Sequence, residues 1–362
     1  MRIDLEPRAE PSRWASIAAP VVALLLAIAI GGVVVGLLGK SPVQAFSVYF
    51  IDPLSASWSL QALAVKASPL ILIAVGLSFC FRANLWNIGA EGQFIVGGAL
   101  GGWLALATHD GAYQQTLGGW WILPAMMLLG ILGGALYAMI PAILRVTLGV
   151  SEILSSLMLV YIAGYGLDYL VRGPWRDPQG FNFPVSVTFD PEATLPSLIA
   201  DGRLHAGVLL TLAAVLIASV VLAKTMFGYE VRLFGAAPKA ARFAGFSERT
   251  ITLAVFAISG GLAGLAGIIE VSGQINQLQP SISPGYGFTA IIVAFLGRLA
   301  PFGILLAGLV LALTFIGGEG AQVAMKLPLD LTSAFQGILL MCVLAADVFT
   351  RYRVRIVTGA AR

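Results

Sequence analysis

Charge is what this sequence has least of. Only 11% of its 362 residues are Asp, Glu, Lys or Arg, and 58% are apolar; a soluble domain carries about 25% charged residues. A chain of this composition has too little polar surface to cover its own core in water. Several apolar runs reach the ~20 residues that span a bilayer, so the expected fold is an all-α polytopic membrane protein. Cysteine is also scarce. Cys80 and Cys342 sit in apolar runs without partner spacing, so neither a disulfide framework nor a metal site is implied. The only two histidines, His109 and His205, stand alone at segment ends and read as solvated or interfacial. There is no HExxH, no serine–histidine constellation and no clear carboxylate pair to mark a membrane-embedded enzyme. A GxxxxGK[ST] phosphate loop is absent too.

What is present is a succession of apolar runs, placed at roughly 16–38, 60–80, 88–107, 119–144, 152–171, 205–223, 251–271, 286–297, 301–318 and 334–350. The first is too long for a signal-peptide core, and no A-x-A-like site follows it. With the N-terminus inside, ten crossings put fifteen Lys and Arg on the inner side and five on the outer, with Lys66 inside the second helix. That threefold bias is the direction the positive-inside rule requires. An odd count would leave one terminal cluster of arginines outside. The expected organisation is an inner arm 1–15, one membrane domain 16–350 and an inner tail 351–362. A long outer loop covers 172–204, and a basic inner loop covers 224–250.

Charges at membrane depth usually face a bundle interior or a water-filled cavity, and the candidates are Lys66, Glu91, Glu152, Asp168, Glu270 and Asp347. Asp168 with Arg172, and Asp347 with Arg351, have the spacing of helical ion pairs. Glu152 follows Ser151 at a helix start, where a carboxylate and a capping hydroxyl are both favoured. Glu270 precedes a polar stretch with Gln274, Asn276, Gln277 and Gln279, read as either an outer mouth or a solvated loop. The segment NLWNIGAEGQ, residues 84–93, is different. It reads as a capped, glycine-thinned helix start with Asn87 and Glu91 on one face, continued by the small-residue run GGALGG at 97–102. SISPGYGFTAIIVAFLG, residues 281–297, is a second Pro/Gly-interrupted start, running from the opposite side of the membrane. Paired breaks of opposite direction are the mark of an inverted repeat around a midplane site, here of two five-helix halves at about 16–171 and 205–350. The expected substrate pathway is therefore Asn87, Glu91, Gln93, Ser283, Tyr286 and Phe288.

In the inner loop, GAAPKAARFAGF has its own local logic. Pro238 suits a first helical position, the following residues favour helix, and Gly245 suits the left-handed position past its end. The short helix displays Lys239 and Arg242 beside Phe243. It reads either as a basic segment lying on anionic headgroups or as a docking helix for a partner protein.

FRANLWNIGAEGQFIVGGAL, VSEILSSLMLVYIAGY, FGAAPKAARFAGFSERTITLAVFAISGGLAGLAGIIEVSG and PGYGFTAIIVAFLGRLAPFGILLAGLV together resemble the permease subunits of nucleoside and simple-sugar ABC importers. These belong to the superfamily that also serves ribose and branched-chain amino acids. The resemblance runs from about residue 60 to residue 350. It implies a transport subunit of the bacterial inner membrane, with both termini cytoplasmic and no ATPase activity of its own. A second and different permease chain, a cytoplasmic ATP-binding subunit holding ATP and Mg, and an extracytoplasmic binding protein are the implied partners. The 224–250 loop becomes the ATPase-docking loop, with Arg232, Phe234, Pro238, Lys239, Arg242 and Phe243 as its candidate residues. The implied solute is a nucleoside or related purine compound, with a simple sugar such as ribose as the alternative. A third reading, an ion-coupled secondary transporter, would use Lys66, Glu91 and Glu152.

Overall fold

The computed structural model describes residues 2–7, 13–109, 119–199 and 202–357. Ten principal helices fall where the apolar runs predict them: α1 Arg13–Leu37, α2 Ser57–Arg82, α3 Ala90–Thr108, α4 Ile122–Leu148, α5 Glu152–Arg172, α6 Gly207–Lys224, α7 Glu248–Glu270, α8 Tyr286–Leu296, α9 Pro301–Met325 and α10 Asp330–Arg351. Seven of these, α1, α2, α4, α5, α6, α7 and α9, are long and apolar enough to cross a membrane. The chain is a helical membrane protein. At its two ends, β1 Arg2–Pro7 and β2 Tyr352–Val357 pair antiparallel, Arg2 opposite Val357 and Pro7 opposite Tyr352. The arm and tail therefore meet at one end of the bundle, a pairing the all-helical expectation did not contain. The Asp347–Arg351 pair lies outside the described side chains.

Local chemistry sets the helix ends. Gly149 takes φ +65 and stops α4 as a left-handed cap, its N–H bonding Arg145 O while Val150 N reaches Leu144 O. At the start of α7, Ser247 accepts from Thr250 N, with Glu248 in the first turn. Several boundaries depart from expectation by a few residues, and three places are instructive. Helix α3 begins at Ala90, because residues 85–88 stay non-helical after Asn84 turns at φ +56. Helix α9 runs past the expected stop at 318 to Met325: its GGEG run is a packing surface, with Gly317 against the Tyr49 backbone and Gly318 against Thr332. The stretch after α1 forms short helical turns at Pro42–Phe46, Ser47–Ile51 and Asp52–Ser55.

Helices α2, α3, α4 and α7 make the centre. Every α2 residue from Ala67 to Phe81 is buried, which is why this helix is apolar on all sides. Helices α3, α4 and α7 close on one another through glycine. A methyl group placed on Gly97, Gly134 or Gly264 would overlap the backbone of the facing helix, so these positions permit the close approach that membrane helices use. The halves do not remain separate bodies, since α7 and α8 of the second pack against α2 and α3 of the first.

Candidate functional site

The two interrupted helix starts meet inside the bundle. In the first, Asn87 and Gln93 form a reciprocal amide pair, each Nδ2/Nε2 donating to the other's side-chain oxygen at 2.9 Å. Asn87 also donates to Ser259 Oγ on α7 at 3.0 Å, and its oxygen takes the Gly89 N–H at 3.1 Å. Ile88 N reaches Ser156 Oγ on α5. The non-helical backbone thus finds partners on neighbouring elements, the condition for irregular structure at membrane depth.

Glu91 points away from this amide pair. It stands in the first turn of α3, and its carboxylate accepts the Gly287 N–H of α8 at 2.6 Å. One negative group therefore lies at the positive ends of two helices. The lead-in to α8 is held the same way: Gly285 takes φ +94, and Ser283 Oγ accepts from Gly285 N and Tyr286 N. Next along α8, Tyr286 donates its hydroxyl to Glu270 Oε1 of α7 at 3.3 Å. The ammonium of Lys66 on α2 sits 5.9 Å from the Tyr286 ring centroid and 3.4 Å from Glu319 Oε1 on α9. Thr289 donates to Gln336 on α10, which in turn donates to Thr314 on α9. The result is a set of polar contacts that ties α2, α3 and α7 to α8 and α9, and α8 to α9 and α10.

The expected pathway residues divide accordingly. Asn87, Glu91, Gln93 and Tyr286 are buried, and each is bonded to protein. Asn87 does not cap α3 or share a helical face with Glu91, because the helix starts three residues later and the Asn87 amide is engaged by Gln93. Ser283 is half-buried, and Phe288 is exposed. The expected ninth helix stops at 318, one residue before Glu319, and so leaves this carboxylate outside the candidate intramembrane charges. A charged residue flanked by glycines inside an apolar run was the available signal.

Other expectations sort in the same manner. Ser151 makes no capping bond; Glu152 instead pairs with Arg145 and accepts the Trp86 N–H at 3.3 Å. Asp168 and Arg172 pair at 2.7 Å as their spacing requires. His109 faces Asp190 at 3.2 Å. His205 is buried rather than solvated: Ser197 of the outer loop bridges to its backbone, and Gly273 lies against its ring. Burial pushes its pKa down to about 4, because the charged form loses water. The same loop caps that end of the bundle through Ser186–Leu278, Phe189–Asn276 and Leu195–Ser272 backbone bonds. The stretch after Glu270 is therefore largely covered by loop rather than open to solvent.

At the opposite end, the basic loop forms two helices, Met226–Ala236 and Pro238–Phe243. Gly245, at φ +85, ends the second with the expected left-handed cap. Arg232, Pro238, Lys239 and Arg242 are exposed, and Phe243 is 94% exposed. Arg242 pairs with Glu248. Phe234 departs from its expected place. It is buried beside Val231 and anchors the loop to the bundle, as Gly235 does by packing on the Arg82 carbonyl. A cleft lined by Arg145, Ser151, Glu152, Glu248 and Arg249 opens at the same end. Among the described residues no cluster of His, Cys, Asp and Glu has the geometry to hold a metal.

Comparison with known sequences agrees with this architecture. The family described as "Branched-chain amino acid transport system / permease component" matches residues 59–344. The glucose ABC transporter permease protein TsgB13 of Haloferax volcanii is 38% identical over 98% of this chain and 94% of its own length. The guanosine ABC transporter permease protein NupP of Bacillus subtilis is 27% identical over 96% of this chain and 97% of its own. The nucleoside ABC transporter permease protein NupB of Lactococcus lactis is 28% identical over 83% of each. No solved structure matches. The chain belongs to the branched-chain amino acid transport permease family.

Proposed function

We propose, from that membership, that this chain is the membrane-spanning subunit of an ATP-driven importer for a neutral polyhydroxylated solute. A simple sugar is the first reading, since the glucose permease relative is similar over nearly the whole of both chains. A nucleoside is the second, favoured by the guanosine and nucleoside permease relatives. ATP and Mg bind a separate cytoplasmic subunit. An extracytoplasmic protein delivers the solute, and a second permease chain completes the pore. The charge pattern supports ten crossings with the 224–250 loop in the cytoplasm, and the pairing of β1 with β2 supports placing both termini on one side.

The observation that carries the coupling is the loop helix Pro238–Phe243. A phenylalanine 94% exposed on a cytoplasmic helix stabilises nothing within the chain, and an apolar anchor beside cations suits insertion into a cleft of the ATPase. Phe234 and Gly235 fix the helix to the bundle, so movement of the ATPase would reach α2 and α7.

Reconstitution tests the reading. The complex in proteoliposomes, with binding protein outside and ATP inside, should accumulate labelled glucose or guanosine, and the other compound should compete poorly. Uptake by this chain alone without ATP would replace the importer by a secondary transporter.

A further inference from the structure

Asn87, Glu91, Gln93 and Tyr286 at the interrupted helix starts are buried and bonded to protein, so the solute needs contacts beyond them, and α5 supplies them. It is the least apolar of the seven long helices, with mean hydropathy 1.4 against 2.0 to 2.7 for the others. Ser156, Val160, Ala163, Leu167 and Val171 face inward, chiefly toward α3 and α4. On the outward face Tyr161, Tyr165 and Tyr169 fall on one stripe, 56%, 75% and 72% exposed. The Asp168–Arg172 pair closes its end, and Gly164 beside it leaves open space. None of the three hydroxyls has a hydrogen-bond partner among the described residues.

Such a stripe does not suit lipid. Unpaired hydroxyls in hydrocarbon are strongly unfavourable. Tyrosines near a helix end escape by reaching the headgroups, which accounts for Tyr169 alone. Tyr161 lies at the middle of the 21-residue helix, about 15 Å from either end. By contrast, the exposed side of α6 presents Leu209, Leu212, Leu216, Ile217 and Val220, all aliphatic. Phenol rings spaced one turn apart offer flat faces for a pyranose or a nucleobase, and hydroxyls for its polar rim.

We infer that this face of α5 borders the water-filled route of the solute, and that Tyr161, Tyr165 and Tyr169 are its successive contacts. The inference rests on the chain being an importer permease, with the second permease subunit forming the far wall.

Single cysteines at 161, 165 and 169 in the assembled complex, with Ile217→Cys as the lipid-facing control, test it. Cys80 and Cys342 are buried and give little background. A negatively charged, membrane-impermeant methanethiosulfonate should label all three stripe positions at least ~10-fold faster than the control, since thiols react as hydrated thiolates. Labelling no faster than the control, whether from lipid or from dry packing against another chain, overturns the inference. This arm requires no knowledge of the solute. If neither glucose nor guanosine is taken up, the proposed function fails while the labelling still reads the stripe. Where one is taken up, Tyr165→Phe should raise its KM about tenfold, the order of one lost hydrogen bond, and Tyr165→Leu more. Unchanged KM in Tyr161→Phe, Tyr165→Phe and Tyr169→Phe would overturn the solute contacts.

Discussion

The conspicuous side chains of this membrane protein form two populations with opposite properties. Around α3 and α8, Asn87, Glu91, Gln93, Tyr286 and Glu270 are buried and bonded to one another or to backbone. On α5 and on the loop helix Pro238–Phe243, the tyrosine stripe and Phe243 are exposed and have no internal partner among the described residues. A satisfied buried network specifies a single arrangement of helices. A group the fold leaves unpartnered is available to something outside the chain. Unusual polar residues at membrane depth therefore divide into those that build the scaffold and those that meet solute or partner.

Substitutions on each side sharpen that contrast. The largest effect is expected at the loop helix: Phe243→Ala should abolish capture of the ATPase subunit while thermal unfolding stays unchanged, whereas Phe234→Ala should destabilise the chain by about 3–5 kcal/mol. Capture of the ATPase by Phe243→Ala at wild-type level would remove the docking assignment. Next comes Glu91→Ala, which leaves the Gly287 N–H buried and unpaired and should cost about 2–3 kcal/mol, read as a lower melting temperature in detergent. Glu91→Gln keeps an acceptor and should recover part of that loss. A melting temperature unaltered in both would show that the carboxylate does not hold α8. Asn87→Ala and Gln93→Ala should couple in a double-mutant cycle by about 1 kcal/mol; additive losses would dissolve the amide pair.

The smallest effect concerns pH. His205 has a lowered pKa of about 4 in the folded chain, against about 6.5 when unfolded. Between these values the unfolded state binds the extra proton, so stability is complete above pH 6.5 and falls as pH drops toward 4. His205→Gln should flatten that decline in a series of melting curves, and a decline of undiminished slope would assign it to other groups.

Much of the architecture was legible because it depends on local pattern. Apolar runs located the ten principal helices, and Pro238 and Gly245 marked the start and the cap of the short loop helix, whereas the helix Met226–Ala236 before it was not anticipated. The Asp168–Arg172 pair followed from spacing alone. What was misjudged depended on distant parts of the chain. Asn87 looked like a cap for the helix beside it, yet its amide bonds Gln93 and Ser259 across a bend. The expected end at 318 falls inside the GGEG run, where nothing local tells a glycine that ends a helix from one that seats another backbone. Phe234 and Phe243 are nine residues apart in one basic loop, and only packing shows that one faces the bundle and the other solvent.

Composition and periodicity, by themselves, determined that this chain lies in a membrane as a helical bundle. These are properties of transfer between water and lipid, summed over local segments. Which polar residues are scaffold was decided by the tertiary structure alone. NLWNIGAEGQ carries the chemistry of a binding site, but Glu91 meets the N-terminus of α8, almost two hundred residues away, and Asn87 meets Ser259 of α7. A polar side chain is free to act on a solute only when the fold has not already satisfied it, and that depends on contacts between segments far apart in sequence.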